Sequence, residues 1–199
     1  MADEPRFIGI PQLNEHARAI GHVCILWAWV ENAIELFLSD LAFGRDNKTG
    51  KVVLANLDMR EKGQILKTVA FAKKPTDRWY EEVRIVVDGI DNELRTKRNR
   101  FTHDLWWLSG ETVQKRWKRA RVKRPQARHE YIVSHHEDAP IDAREIWDLA
   151  DLMVHVMIEL SALHHEYLHR TGRAAPRGRA ASPQLPRVRF GRPYKSEAG

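Results

Sequence analysis

The stretch Thr76–Leu105, TDRWYEEVRIVVDGIDNELRTKRNRFTHDL, decides how the rest of the chain is read. Advancing each residue by about 100° puts Tyr80, Val83, Val87, Ile90, Leu94, Phe101 and Leu105 on one stripe, the signature of a single long amphipathic helix. Near its C-terminal end stands Arg98-Asn99-Arg100-Phe101-Thr102-His103, a dense set of polar groups that no core requires. Asn99 and His103 are i,i+4 neighbours, so the amide is within reach of the imidazole and able to hold it. Arg98 lies at the border of the apolar stripe, about 140° from His103, where a guanidinium can serve a cleft or an interface.

The segments on either side read as further helices. Pro11 to Ala42 carries Val23, Leu26, Val30, Ile34, Phe37 and Leu41 at three- and four-residue steps. Between 23 and 30 this helix is apolar all round, which predicts burial on more than one side, with Cys24 as a small buried hydrophobe. Gly44 and the polar run 45–50 end it, and Lys51 to Leu57 reads as a short helical turn. Asp58 can cap a helix from Met59 to Lys73, and Thr76 or Asp77 the next one. Asp142-x-x-Glu145 resembles a capping box for a closing helix that runs to about Thr171, where Gly172 stops it.

Between these helices the period changes. Val113–Val122 and His129–Ser134 read as two short strands around Lys123–Ala127, a β-hairpin inserted at 113–135. The expected architecture is all-α: an up-down bundle of four long helices over residues 1–171, with that hairpin and a disordered basic tail, 172–199.

Hydrophobic residues make up 43% of the 199 and seven are Trp, which excludes a disordered chain. One cysteine permits no internal disulfide. No signal peptide is visible at the N-terminus, and the longest uninterrupted apolar run is far below the roughly 20 residues of a membrane helix. The expectation is a soluble, cytoplasmic protein that does not enter a membrane. The net charge of +6 is unevenly placed: residues 113–128 hold eight basic side chains and no acid, and residues 172–199 hold seven against one. Such concentration suits a polyanion, although a solvated loop and tail would look the same. Lys115, Arg116, Trp117, Lys118, Arg119 and Arg121 interleave one aromatic with cations, so they are candidates to grip a nucleic-acid backbone by charge and stack a base on Trp117.

His103 is the candidate acid/base. Imidazole moves protons near neutral pH, and Arg98 offers several planar donors to a developing negative charge. The Arg98-Asn99-x-x-x-His103 arrangement, late in a long amphipathic helix with another long helix after it, resembles the HEPN superfamily over residues 11–171. Members are small all-helical proteins with an R-x(4–6)-H motif; many are metal-independent ribonucleases acting as symmetric dimers, and others are inactive binding modules. The resemblance implies catalysis by Arg98 and His103 with Asn99 orienting, no cofactor, RNA as partner, a homodimer, and a role as toxin or in phage defence with an antitoxin protein as a candidate partner. One branch carries Tyr two places after the His; Leu105 stands there, against that branch. The alternative is a non-catalytic module using the same cleft for a nucleotide or a protein.

A second string competes. His165-Glu166-Tyr167-Leu168-His169 matches H-E-x-x-H, the zinc-hydrolase pattern, yet past His169 the chain runs into Gly172 and a basic tail with no third ligand at a defined spacing, which leaves only upstream ligands. The expectation is therefore a last core turn, with these histidines on its solvated side and no metal.

Overall fold

The computed structural model describes residues 11–44, 47–109, 112–116, 118–123, 130–135 and 139–173. Among these the chain is mostly helical, which agrees with the all-α class at that level. The helices are α1 (Pro11–Ala42), α2 (Lys48–Ala55), α3 (Met59–Lys73), α4 (Asp77–Gly89), α5 (Arg95–His103) and α6 (Ala143–Arg170), with a π-helical turn at Ile90–Leu94. The strands are β1 (Leu105–Ser109), β2 (Thr112–Arg116), β3 (Lys118–Lys123), β4 (Glu130–His135) and β5 (Ala139–Pro140). The chain divides into two compact units, Met1–Cys24 with Lys97–Ala150, and Ile25–Thr96 with Asp151–Gly199.

In the second unit the starts of α2, α3 and α4 are each fixed by a side chain that accepts from an N–H with no intrahelical partner. Asp58 accepts from Glu61 N while Glu61 reaches back to Asp58 N, both at 2.8 Å, a complete capping box. Thr76 accepts from Trp79 N at 3.1 Å, and Asn47 accepts from Gly50 N at 2.9 Å to begin α2, which takes the place of the expected short turn at 51–57. The core is built from Val30, Ile34, Phe37, Leu38 and Leu41 of α1, Leu66 and Ala70 of α3, Val83, Val86 and Val87 of α4, and Met153, Val156 and Leu160 of α6. Trp79, only 1% exposed, donates Nε1–H to the Leu163 carbonyl at 3.0 Å and lies edge-on to Phe37 and beside Tyr167. Trp79 is thus the buried aromatic of the first turn. Tyr80 is half-exposed against Phe71 instead of leading the buried stripe.

Two further expectations for the long helices are corrected. The helix expected from Thr76 to Leu105 ends at His103, passes through the π-helical turn in which Arg95 N reaches back to the Ile90 carbonyl, and gives way to β1 at Leu105. The turn leaves Ile90, Leu94 and Phe101 buried, so the stripe survives the extra residue. In α1, Cys24 is exposed and Ile25 and Trp29 are each 56% exposed. Among the described residues the buried positions of that segment are Val23, Trp27 and Val30, which lie on one side of the helix. Leu13–Ala42 is long and apolar enough to cross a membrane by length and composition, as core helices also are.

In the first unit, β1, β2 and β5 form an antiparallel sheet in which Leu105 faces Arg116 and Ser109 faces Thr112. β3 and β4 pair separately, Lys118 with His135 and Lys123 with Glu130. The strand expected over 113–122 is therefore two, and Leu105, expected on the helix, opens β1 with Trp106–Leu108. Val113 is buried, and its carbonyl accepts from Ile141 N at 3.2 Å, bringing β2 to the start of α6. Asp142 accepts from Arg144 N at 3.0 Å there, and Ala143, Ile146 and Leu149 turn inward. Trp117 and the tail beyond Arg173 lie outside the described residues.

Candidate functional site

α5 carries the motif. Its nine residues contain Arg95, Lys97, Arg98 and Arg100 and no acid, and cations near a helix C-terminus are favoured by the helix dipole. At its start Arg95 Nε donates to Asp91 of the π-helical turn at 2.8 Å. π-turns alter the helical phase and recur near functional sites, and this one directly precedes the motif.

Arg98 and Asn99 are half-buried and paired: Arg98 Nη1 donates to Asn99 Oδ1 at 2.9 Å. His103, by contrast, is exposed, and among the described residues no hydrogen bond holds its ring. The Asn99 oxygen expected to hold His103 thus accepts from the neighbouring guanidinium, and no hydrogen bond from Asn99 to the His103 ring is present among the described residues. Thr102 Oγ1 donates to the Arg98 carbonyl at 3.0 Å, which ties the last turn to the motif arginine.

The end of α5 is sealed by residues the motif does not name. Trp106 reaches back from β1, and its Nε1–H donates to the Phe101 carbonyl at 3.1 Å, satisfying one of the orphan acceptors of the helix end. Its ring stacks on Phe101 and meets His16 of α1 edge-on, with centroids 6.3 Å and 6.0 Å apart. His16 is buried and its Nε2 lies 2.9 Å from the Ile141 carbonyl, which can only accept, so the proton sits on Nε2. A sequence signal for His16 did exist: it shares the buried side of α1 with Ala19 and Val23 at three- and four-residue steps. Nothing in the local sequence marked Trp106 as the lock on the helix end.

The strands place Lys115 and Arg116 in β2 and Lys118, Arg119 and Arg121 in β3, so the basic residues lie in consecutive strands of one unit. In the H-E-x-x-H string His165 and His169 are exposed on α6, and Glu166 accepts from Arg170 Nε at 2.8 Å. His164 is directed inward to Asp40, 2.8 Å away. Among the described residues no three His, Cys, Asp or Glu side chains gather as metal ligands. A shallow crevice in the second unit, between Ile34, Gly63, Val87 and Asp91, contains none of the motif residues. Comparison of the chain with protein-family models, with curated proteins and with solved structures returns no match.

Proposed function

We propose that the chain is a metal-independent endoribonuclease of HEPN type, built as an up-down bundle of four long helices with a strand insertion. The observation that carries this reading is the pairing on α5 of a half-buried, amide-held Arg98 with an exposed His103 five residues on. In the proposed reaction the ribose 2′-hydroxyl attacks the adjacent phosphorus, the bond to the 5′-oxygen breaks, and a 2′,3′-cyclic phosphate and a 5′-hydroxyl result. His103 moves the proton at the 2′- or 5′-oxygen, and Arg98 balances the phosphorane charge. Asn99 keeps the guanidinium aimed. The basic residues 115–121 and the tail hold the RNA backbone, the protein works in the cytoplasm as a homodimer, and a toxin or phage-defence role with an antitoxin partner fits such an activity.

A second reading, a non-catalytic module binding a nucleotide or a protein at the same place, is favoured by one observation: no hydrogen bond among the described residues orients the His103 ring. Purified protein incubated with structured and single-stranded RNA separates the two. Cleavage leaving cyclic phosphate ends, unaffected by EDTA and lowered about 10²- to 10⁴-fold by His103→Ala in a folded variant, supports the enzyme. RNA left intact, or cut equally fast by His103→Ala, favours the binding module.

A further inference from the structure

α1 buries one side and leaves a second apolar stripe in solvent. Ile25, Trp29, Asn32 and Leu36 follow one another at steps of four, three and four, the spacing of a helix–helix seam, and all four are exposed, the three apolar ones at 56%, 56% and 53%. The stripe is about 16 Å long at 1.5 Å per residue. Its polar groups are uncommitted within the chain: among the described residues neither Trp29 Nε1 nor the Asn32 amide makes a hydrogen bond, whereas Trp27, Trp79 and Trp106 all donate internally, at 2.7, 3.0 and 3.1 Å.

We propose that this stripe is a self-association surface on which α1 of a second copy docks antiparallel. The stripe is its own complement when reversed. Turned end for end about a point between residues 30 and 31, Ile25 faces Leu36 of the second copy and Trp29 faces Asn32 of the second copy, and each pairing occurs twice, as a two-fold interface requires. Apolar groups then meet apolar groups, and each indole N–H meets an amide oxygen. A parallel pairing would instead set the two indoles against each other and bury both N–H groups without an acceptor. A single polar residue inside an apolar seam is the usual device for fixing register.

A lipid surface fits less well. From Ile25 to Ala42 the helix carries Glu31, Glu35 and Asp40 and no Lys or Arg, so an anionic bilayer would repel it. Glu31 accepts from Trp27 at 2.7 Å and Glu35 is paired with Lys62, which leaves the stripe itself without an unmatched charge. The exposed apolar area is on the order of 300–400 Å² per copy by the usual size of these side chains. That is below the roughly 800 Å² per partner of a standard interface, so the association is weak, about micromolar. It is a contact separate from the Arg98/His103 homodimer of the ribonuclease reading, and either can fail while the other stands.

Sedimentation velocity on the full chain, from about 1 to 100 µM, brackets that affinity. The mass should double across the series, and Trp29→Glu and Leu36→Glu should each raise the dissociation constant at least about tenfold with unchanged circular dichroism. If a charge at these positions disturbs folding, disulfide formation gives a second test in a Cys24→Ser background. A mixture of Ile25→Cys and Leu36→Cys chains should cross-link to a heterodimer, while Ile25→Cys alone should not, its two copies lying about 16 Å apart along the axis. Four results would overturn the proposal: no mass change with concentration, an assembly whose mass Trp29→Glu leaves unchanged, ready cross-linking of Ile25→Cys with itself, or flotation with anionic vesicles that depends on Trp29. A monomer in which Trp29 resists a soluble quencher would assign the stripe to a segment of its own chain.

Discussion

Asp40 of α1 and His164 of α6, 124 residues apart in sequence, meet through Oδ2 and Nε2 at 2.8 Å with side chains only 10% and 18% exposed. The imidazole also stacks on Phe37, centroids 4.9 Å apart, and Arg173 Nη1 donates to the Asp40 carbonyl at 3.2 Å. One polar pair thus joins the C-terminal part of α1 to the last turns of α6. Removing either member leaves the other buried without its partner, so Asp40→Ala or His164→Ala should each cost about 1–3 kcal/mol. The double variant should cost less than the sum, the mark of a shared interaction, when unfolding is followed in urea. Full additivity would mean that each residue is held by other neighbours.

The Arg98–Asn99 hydrogen bond makes a different claim about the motif. If Asn99 acts by holding the guanidinium, Asn99→Ala should slow RNA cleavage, while the Arg98→Ala/Asn99→Ala double variant should cleave no more slowly than Arg98→Ala alone. The pH profile should be unchanged by Asn99→Ala, since His103 keeps its surroundings. A double variant slower by the product of the two single effects would return Asn99 to an independent role.

The local signals were legible where a single residue type answers a single geometric need. Asp58 and Thr76 accept from the helix ends as their positions suggested, Gly172 takes the positive φ of 69° past the end of α6, and the stripe through Val83, Val87, Ile90 and Leu94 lies inside. What stayed hidden depends on partners far away in sequence. A wheel cannot choose between Trp79 and Tyr80, because the choice rests on the Leu163 carbonyl 84 residues on. The π-helical turn is silent, since steps of three and four suit either winding. An apolar run from 23 to 30 shows that α1 can be covered all round without showing what covers it, and within one chain Ile25 and Trp29 remain outside. The motif residues were found by type and spacing, but not that the Asn99 oxygen accepts from its neighbour Arg98.

The basic strands supply a test of RNA binding apart from cleavage. Each phosphate contact made by a cation releases counterions, so affinity falls with salt in proportion to the number of contacts. Reversing Lys115, Arg116, Lys118 and Arg119 to Glu should raise the apparent Kd for RNA and flatten its dependence on salt. Cleavage at saturating RNA should change far less, because α5 is untouched. An unchanged affinity and salt slope would assign these charges to solubility or to a protein partner.

The composite site is the strongest claim of the ribonuclease reading. Along one helix Arg98 and His103 point about 140° apart with a rise of about 7.5 Å, so one copy cannot readily bring both to one phosphate. Their surroundings differ in the same sense, Arg98 half-buried and His103 exposed. A two-fold axis near the end of α5 would bring Arg98 of one chain to His103 of the other, and would do so twice. Mixing inactive Arg98→Ala and His103→Ala proteins under conditions of subunit exchange tests this directly. About half of randomly paired dimers are mixed, and each mixed dimer holds one complete Arg98/His103 pair and one pair lacking both. Activity should therefore recover to about a quarter of the wild-type value if the two sites act independently. A mixture that stays inactive after mass spectrometry has confirmed exchange would place the whole site within one chain, or require both copies of it to be complete.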